Sequence, residues 1–167
     1  MKNRPMEAAA SALDPLPALR SEFLLQIIGD LGDPQNVGET PLGVRRILYM
    51  TGGSFSGPRL KGEVLPGGGD WVLARRDGVA QLDIRMTLRT DDKALIYASC
   101  GGILDMAPAL RERIMRGEIV DPSKYYFRTA LVFETAAEKY SWLNRLIAAG
   151  VGRRTATGMV TDVFAIA

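Results

Sequence analysis

The chain has 167 residues, a formal net charge of +2, 47% apolar residues and 24% charged residues. This suits one domain with a sizeable core, excludes bulk disorder, and gives no field that would select nucleic acid or an anionic membrane surface. Histidine is absent and Cys100 is the single cysteine, which removes Ser-His-Asp and Cys-His machinery, imidazole metal ligation and any intrachain disulfide.

Residues 1–20 carry early basic residues, but Asp14, Pro15 and Pro17 interrupt any apolar stretch. They predict a flexible arm rather than a signal peptide. No apolar run approaches the roughly 18–20 residues of a membrane-crossing helix, so no membrane partner and a cytoplasmic location are expected. Residues 21–167 are expected to form a single domain.

Residues 22–31 (EFLLQIIGDL) read as a first strand. Residues 32–43 (GDPQNVGETPLG), with two prolines and three glycines, read as a loop. Strands are expected over 43–53 and 56–69. A short strand, DWVLARRDG, ends in an Arg-Asp-Gly hairpin signal. The clearest strand is VAQLDIRMTLRTDD. Ala80, Leu82, Ile84, Met86 and Leu88 share one face, and Gln81, Asp83, Arg85, Thr87 and Arg89 the other, the period-two signature of a sheet with unlike faces. TDDK is a turn, and ALIYASCGGIL the returning strand. Cys100 within it reads as a buried, inert thiol, because no histidine exists to activate it.

MAPALRERIMRGE breaks the pattern. Leu110 and Ile114, and Arg111 and Met115, have helical spacing, Pro108 suits the first turn and Gly117 the stop. YYFRTALVFET is a strand, AAEKYSWLNR a short helix or turn, and RLIAAGVGRR and GMVTDVFAIA close the chain as strands. Short strands at this spacing, without an alternating helix for each, predict an all-β, mainly antiparallel fold. The expected form is a closed or nearly closed up-and-down β-barrel of about 8–10 strands, with an internal cavity and one or two short helices.

The stretch VLPGGGDW (64–71) decides between two uses of glycine. A phosphate loop would need Gly-Lys-Ser/Thr and then a helix. Here Asp70 follows, and its charge would repel a phosphate. The run therefore reads as a hairpin connection, with Pro66 presetting φ and the glycines accepting positive φ. Asp70 either satisfies turn N–H groups or sits at a cavity mouth as a general acid or base. Trp71 either plugs a barrel end or walls a ligand.

GGSFSGPRLKGEVLPGGGDW, DGVAQLDIRMTLRTDD, YYFRTALVFET, YSWLN and GVGRR occur in series. Together they resemble the DUF3237 family, also named uncharacterised protein family UPF0311, from about residue 20 to the end. The resemblance implies a small antiparallel β-barrel with an internal cavity. It extends to a small aromatic-compound lyase acting on hydroxylaminobenzoate. One departure is TDDK (90–93), where the family pattern implies a glycine after the aspartates.

On the strand 125–135, Phe127, Thr129, Leu131, Phe133 and Thr135 share one face, and Tyr126, Arg128, Ala130, Val132 and Glu134 the other. The resemblance places Arg128 and Glu134 in a family motif. Arg85 and Arg128 are candidates to clamp a carboxylate. Asp70, Asp83 and Glu134 are candidates to move a proton if burial raises their pKa. Trp71, Trp142, Tyr97 and Tyr126 are candidate walls for an aromatic ligand, and Asn144 either orients a ligand or caps a turn. Alternating Asp and Arg is equally the pattern of a solvated face with cross-strand ion pairs. The pairs Arg45-Arg46, Arg75-Arg76 and Arg153-Arg154 read as solvated edges, each strand pair pointing to opposite faces. Met86, Met106 and Met115 read as core. Asp91, Asp92 and Asp121 lack metal-site spacing.

Three functions fit these residues. One is a cofactor-independent lyase or isomerase acting on a small aromatic or carboxylated compound, without metal. A second is a lipocalin-like carrier without chemistry. A third is a homodimer or higher homo-oligomer whose Asp83 and Arg85 are buried between chains. An acidic group of raised pKa beside an arginine inside the cavity favours the first; a wholly apolar cavity favours the second.

Overall fold

The computed structural model describes residues 17–167. The expected arm covers 1–20, of which 1–16 lie outside the described residues. Arg20, its last residue, exchanges two backbone hydrogen bonds with Ala167, at 3.0 and 2.9 Å.

The strands in chain order are β1 (Ser21–Leu31), β2 (Gln35–Thr40), β3 (Gly43–Ser56), β4 (Lys61–Val64), β5 (Gly69–Ala74), β6 (Ala80–Thr90), β7 (Leu95–Asp105), β8 (Tyr126–Glu134), β9 (Ile147–Arg154) and β10 (Gly158–Ile166). One helix, α1 (Pro108–Met115), lies between β7 and β8, and a 3-10 segment, Glu138–Arg145, lies between β8 and β9. The sheet runs β1-β10-β9-β8-β7-β6-β4-β3, and β1 also pairs with β3. That last pairing closes an antiparallel barrel whose sequence neighbours are spatial neighbours. Closure removes the sheet edges that would otherwise offer unpaired backbone groups.

Period-two patterning makes this barrel. In β6, Ala80, Leu82, Ile84, Met86 and Leu88 all point into the core, and in β8 Phe127, Thr129, Leu131 and Phe133 do the same. Helix α1 carries Pro108 in its first turn, where no N–H is needed, and Gly117 beyond its end at φ +84°. It lies at the end of the barrel formed by the last residues of β1 and β7 and the first of β6 and β10. The opposite end is filled by the 3-10 segment, whose Tyr140 and Leu143 are 2% and 0% exposed. Asp92 fastens that plug, accepting hydrogen bonds from Lys139 (2.5 Å), Tyr140 (3.0 Å) and Thr90 (2.5 Å).

Three local expectations are corrected. The segment 32–43 is not all loop, because β2 forms within it and pairs with β3. Gly38, at φ +97°, bulges that pairing, so glycine here marks an irregular strand rather than its absence.

The glycine run 67–69 is not a hairpin. β4 and β5 run in the same direction, each antiparallel to β3 on one side and β6 on the other. They are two halves of one strand position, bent between Leu65 and Gly68. Gly67 takes φ +103°, and a Cβ on Gly68 would stand 2.4 Å from the Arg85 carbonyl oxygen. The glycines allow the backbone to approach its neighbour where the strand turns the corner of the barrel.

Met115 is not core. It is 64% exposed at the end of α1, whereas Met86 and Met106 are buried.

The departure from the family pattern at TDDK also has a structural meaning. Lys93 has φ +70°, the left-handed region, and is the one non-glycine residue there among those described. The turn demands what glycine gives freely.

Candidate functional site

A cavity of about 260 Å³ opens at the α1 end of the barrel. Its inner wall is built by β5. Beyond the bend, residues alternate again, so Asp70, Val72 and Ala74 face in while Trp71 and Leu73 face out. Asp70 is 6% exposed. The β5–β6 ladder pairs Asp70 with Ile84 and resumes at Leu73 with Gln81. Within that gap, the Asp70 Oδ1 accepts the Asp83 N–H at 3.1 Å. The carboxylate thus stands in for a ladder carbonyl, which fixes its position.

Burial pushes the Asp70 pKa from 3.8 up to about 6, against the lowering pull of the Asp83 N–H and of the Arg154 and Arg45 guanidinium charges. Arg154, at the end of β9, lines the same cavity. Its pKa is pushed down by burial, with Asp70 opposing and Arg111 adding to the fall; as an arginine it keeps its charge. The Arg154 backbone N–H donates to the Tyr125 hydroxyl at 3.1 Å, pinning the strand end that carries the side chain. Arg111 from α1 and Arg46 from β3 complete the cationic lining. A buried acid near neutrality beside an arginine is an arrangement that can hold an anion and move a proton next to it.

The other expected site residues lie elsewhere. Asp83 and Arg85 sit on the outer face of β6, half-exposed and 3.3 Å from one another. Trp71 is outside too, edge-on to Tyr49 at 6.3 Å, with the Arg85 guanidinium 5.6 Å from its ring. Tyr126, Arg128 and Glu134 occupy the outward face of β8, and Tyr97 lies outward on β7 opposite Glu134. Arg128 stands 5.2 Å over the Tyr126 ring. Arg85 and Arg128 therefore do not meet inside the barrel, because both fall on the outward phase of their strands.

Trp142 and Asn144 are at the plugged end. Arg59 stacks on Trp142 at 3.7 Å. Asn144 accepts from the Thr135 N–H at 2.8 Å and donates to its carbonyl at 2.9 Å, so it holds backbone. Of the candidates named from sequence, the cavity collects Asp70.

A family comparison agrees with this architecture. The DUF3237 family, described as a protein of unknown function, matches residues 19–166. The chain belongs to the DUF3237 family. A UPF0311 protein of Rhodopseudomonas palustris is 36% identical over 147 residues, covering 88% of this chain and 96% of the relative. A crystal structure of a β-barrel-like protein from Acinetobacter baumannii has 35% identity and a TM-score of 0.81, over 93% of this chain and all of that one. A crystal structure of an enzyme from Penicillium herquei shares the fold at 22% identity and a TM-score of 0.70, over 93% of this chain and 100% of that one.

In this DUF3237 barrel two of the three cavity arginines, Arg46 and Arg154, belong to pairs whose sequence pattern reads as solvated edges. A usable signal was present for Arg154. In IAAGVGRR, Ala148, Gly150, Gly152 and Arg154 share a face, and a row of small residues ending in arginine marks an inward charge with room before it. Arg46 shares a face with Leu48 and the buried Met50, without a row of small residues before it. For Arg111 no strand pattern exists; only the docking of α1 over the mouth brings it in.

Proposed function

We propose that this DUF3237 chain is a cofactor-independent lyase or isomerase that binds a small carboxylated compound in the α1-end cavity and transfers a proton with Asp70. The observation that carries this reading is the buried Asp70 carboxyl, with a pKa of about 6, beside Arg154 in a cavity. A barrel with a carrier role would be served by apolar walls alone. The fold is also that of a protein described as an enzyme, so the barrel is compatible with catalysis.

The chemistry follows from the charges. Arg154 holds the substrate carboxylate, and ionised Asp70 takes a proton from the adjacent carbon. The C–H electron pair moves into an enediolate whose negative charge develops toward the arginine. Where the substrate has a β,γ double bond, return of the proton at the γ-carbon, with the double bond moving to the α,β position, completes an isomerisation. Expulsion of a neighbouring leaving group completes a lyase reaction. Trp71, Tyr97 and Tyr126 lie outside, so the aromatic walls expected from sequence do not form this cavity; its walls are aliphatic.

The test is a thermal-shift and turnover screen of small carboxylates on wild type, Asp70→Asn and Arg154→Gln. Wild type and Asp70→Asn should be stabilised by the same compound, Arg154→Gln should not, and only wild type should turn it over. Activity should rise as pH passes through about 6, where Asp70 ionises. Turnover by Asp70→Asn would take Asp70 out of the chemistry, and a carboxylate that binds wild type without being turned over would return the chain to the carrier reading. Failure of every carboxylate to shift wild type would remove the anion site.

A further inference from the structure

Three guanidinium groups on three separate elements line this cavity: Arg46 on β3, Arg111 on α1 and Arg154 on β9. Among the described residues, none of the three has a carboxylate within ion-pair distance, whereas Arg75, Arg85 and Arg89 on the outer surface are each paired with an acid. Two carboxylates face the three, Asp33 at the rim and Asp70 within. With Asp70 ionised, as the proton transfer requires, the three guanidinium groups exceed the two carboxylates by one charge. Burial of the unpaired Arg154 guanidinium is costly until an anion arrives, whereas Arg46 is exposed at the mouth, so a second anionic group is recognised by the spacing of the arginines in depth.

Their depths differ. Arg154 shares the cavity with Asp70, and its charge opposes the rise in the Asp70 pKa. On β3, Leu48 lies opposite Asp70 and Arg46 opposite Val72. That places Arg46 two residues nearer the mouth, about 7 Å along the strand. Arg111 reaches in from the helix above. Between the two tiers the walls are Leu48, Val72 and Leu82, and no aromatic side chain lines the cavity. Its volume of about 260 Å³ falls just below the roughly 300–1,000 Å³ of sites for drug-sized ligands.

We propose that the cavity accepts a small aliphatic dicarboxylate, one carboxylate on Arg154 beside Asp70 and the other on Arg46 and Arg111 at the mouth. This rests on the reading of the cavity as an anion site and narrows it to two anionic groups on a short aliphatic body. The carboxylate on Arg154 is the one next to the carbon that Asp70 would deprotonate; the outer one selects the substrate.

The experiment is calorimetric titration at pH 7 with succinate, glutarate and adipate against butyrate, valerate and hexanoate, with benzoate and glycerol phosphate as further probes. Wild type, Arg46→Gln and Arg154→Gln are compared, with ligand-free melting confirming that each is folded. The expected result is a dicarboxylate binding at least tenfold tighter than its matched monocarboxylate. Arg46→Gln should erase that advantage and leave the monocarboxylate affinity unchanged; Arg154→Gln should weaken both. Equal binding of mono- and dicarboxylates, or tighter binding of benzoate or glycerol phosphate, overturns the proposal while leaving an anion site in place. Absence of binding by every probe overturns both the dicarboxylate and the anion site.

Discussion

Asp70 shows what a buried carboxyl costs a barrel. Its pKa rises from 3.8 to about 6 on folding, so the folded state holds the proton more tightly than the unfolded chain. That contribution favours folding fully below about pH 4. It is lost as pH rises through 6, and above that the ionised, buried group is a net burden. Asp70→Asn keeps an oxygen for the Asp83 N–H and removes the charge. By denaturant titration it should be more stable than wild type at pH 8, on the order of 3 kcal/mol for a shift of about two pKa units. The gap should close toward pH 4. A variant that gains stability while losing turnover is the signature of a site held against the preference of the fold. A loss of stability at pH 8 would mean that the attraction of the Arg154 and Arg45 charges outweighs the burial.

Lys93 is a second strained residue, with no chemistry attached. A side chain in the left-handed region costs about 1–2 kcal/mol, partly offset because glycine loses more backbone entropy on folding. Lys93→Gly should therefore raise the melting temperature by about 2–4 °C, as expected for up to 1 kcal/mol in a chain of this size. An unchanged or lower midpoint would show that the Lys93 side chain offsets its own strain. Cys100 is the contrasting case: burial pushes its thiol up to about 11, leaving it protonated and inert at neutral pH.

At the scale of elements, the bend between β4 and β5 matters most for the site. It lets one strand position serve two stretches of the barrel, and it sets Asp70 on the inward phase. Gly68 has no room for a side chain, since its Cβ would meet the Arg85 carbonyl oxygen at 2.4 Å. Gly68→Ala must push β5 away from β6 and disturb the Asp70–Asp83 hydrogen bond. The expected loss is above about 2 kcal/mol, with the amide of Asp83 exchanging faster in hydrogen–deuterium measurements. Intact protection at Asp83 would mean that the strand adjusts elsewhere and that the bend does not hold the carboxylate.

The same element explains why strand reading was sound and connection reading was not. β6 and β8 alternate cleanly, so their inward faces were legible from residues alone. Pro-Gly-Gly-Gly carries equal signals for a hairpin and for a bend within a strand. Local backbone preference is the same in both; the difference lies in whether the next segment reverses direction, which only pairing with β3 and β6 decides. The segment around Gly38 is illegible for a related reason, because a bulged outer strand has the composition of a loop.

For the whole molecule, closure is the organising fact. β1 pairs with β10 along nearly its whole length, Ser21 opposite Ile166 through Asp30 opposite Gly158. The first and last strands must meet before the ring is complete, so long-range pairing dominates the barrier to folding. Removing residues 158–167 would leave β1 and β9 as open edges and expose the core beneath. The truncated chain should lose its single cooperative unfolding transition and aggregate. A soluble fragment with wild-type cooperativity would show that the remaining strands close without β10.

The alternating runs by themselves determined a closed or nearly closed antiparallel barrel with one or two short helices, because period-two patterning and turn residues are local properties written in consecutive positions. They also placed Asp70 among three acidic candidates, with a turn role as its alternative. What only the tertiary structure decided was which face of each alternation became the interior around a cavity, and so which arginines stand beside that acid. Arg85 and Arg128 sit in conspicuous motifs and point outward; Arg46, Arg111 and Arg154 come from a strand, a helix and a strand end far apart in sequence. Their convergence at one mouth depends on the curvature of the sheet and the docking of α1, and neither is encoded in the spacing of neighbouring residues.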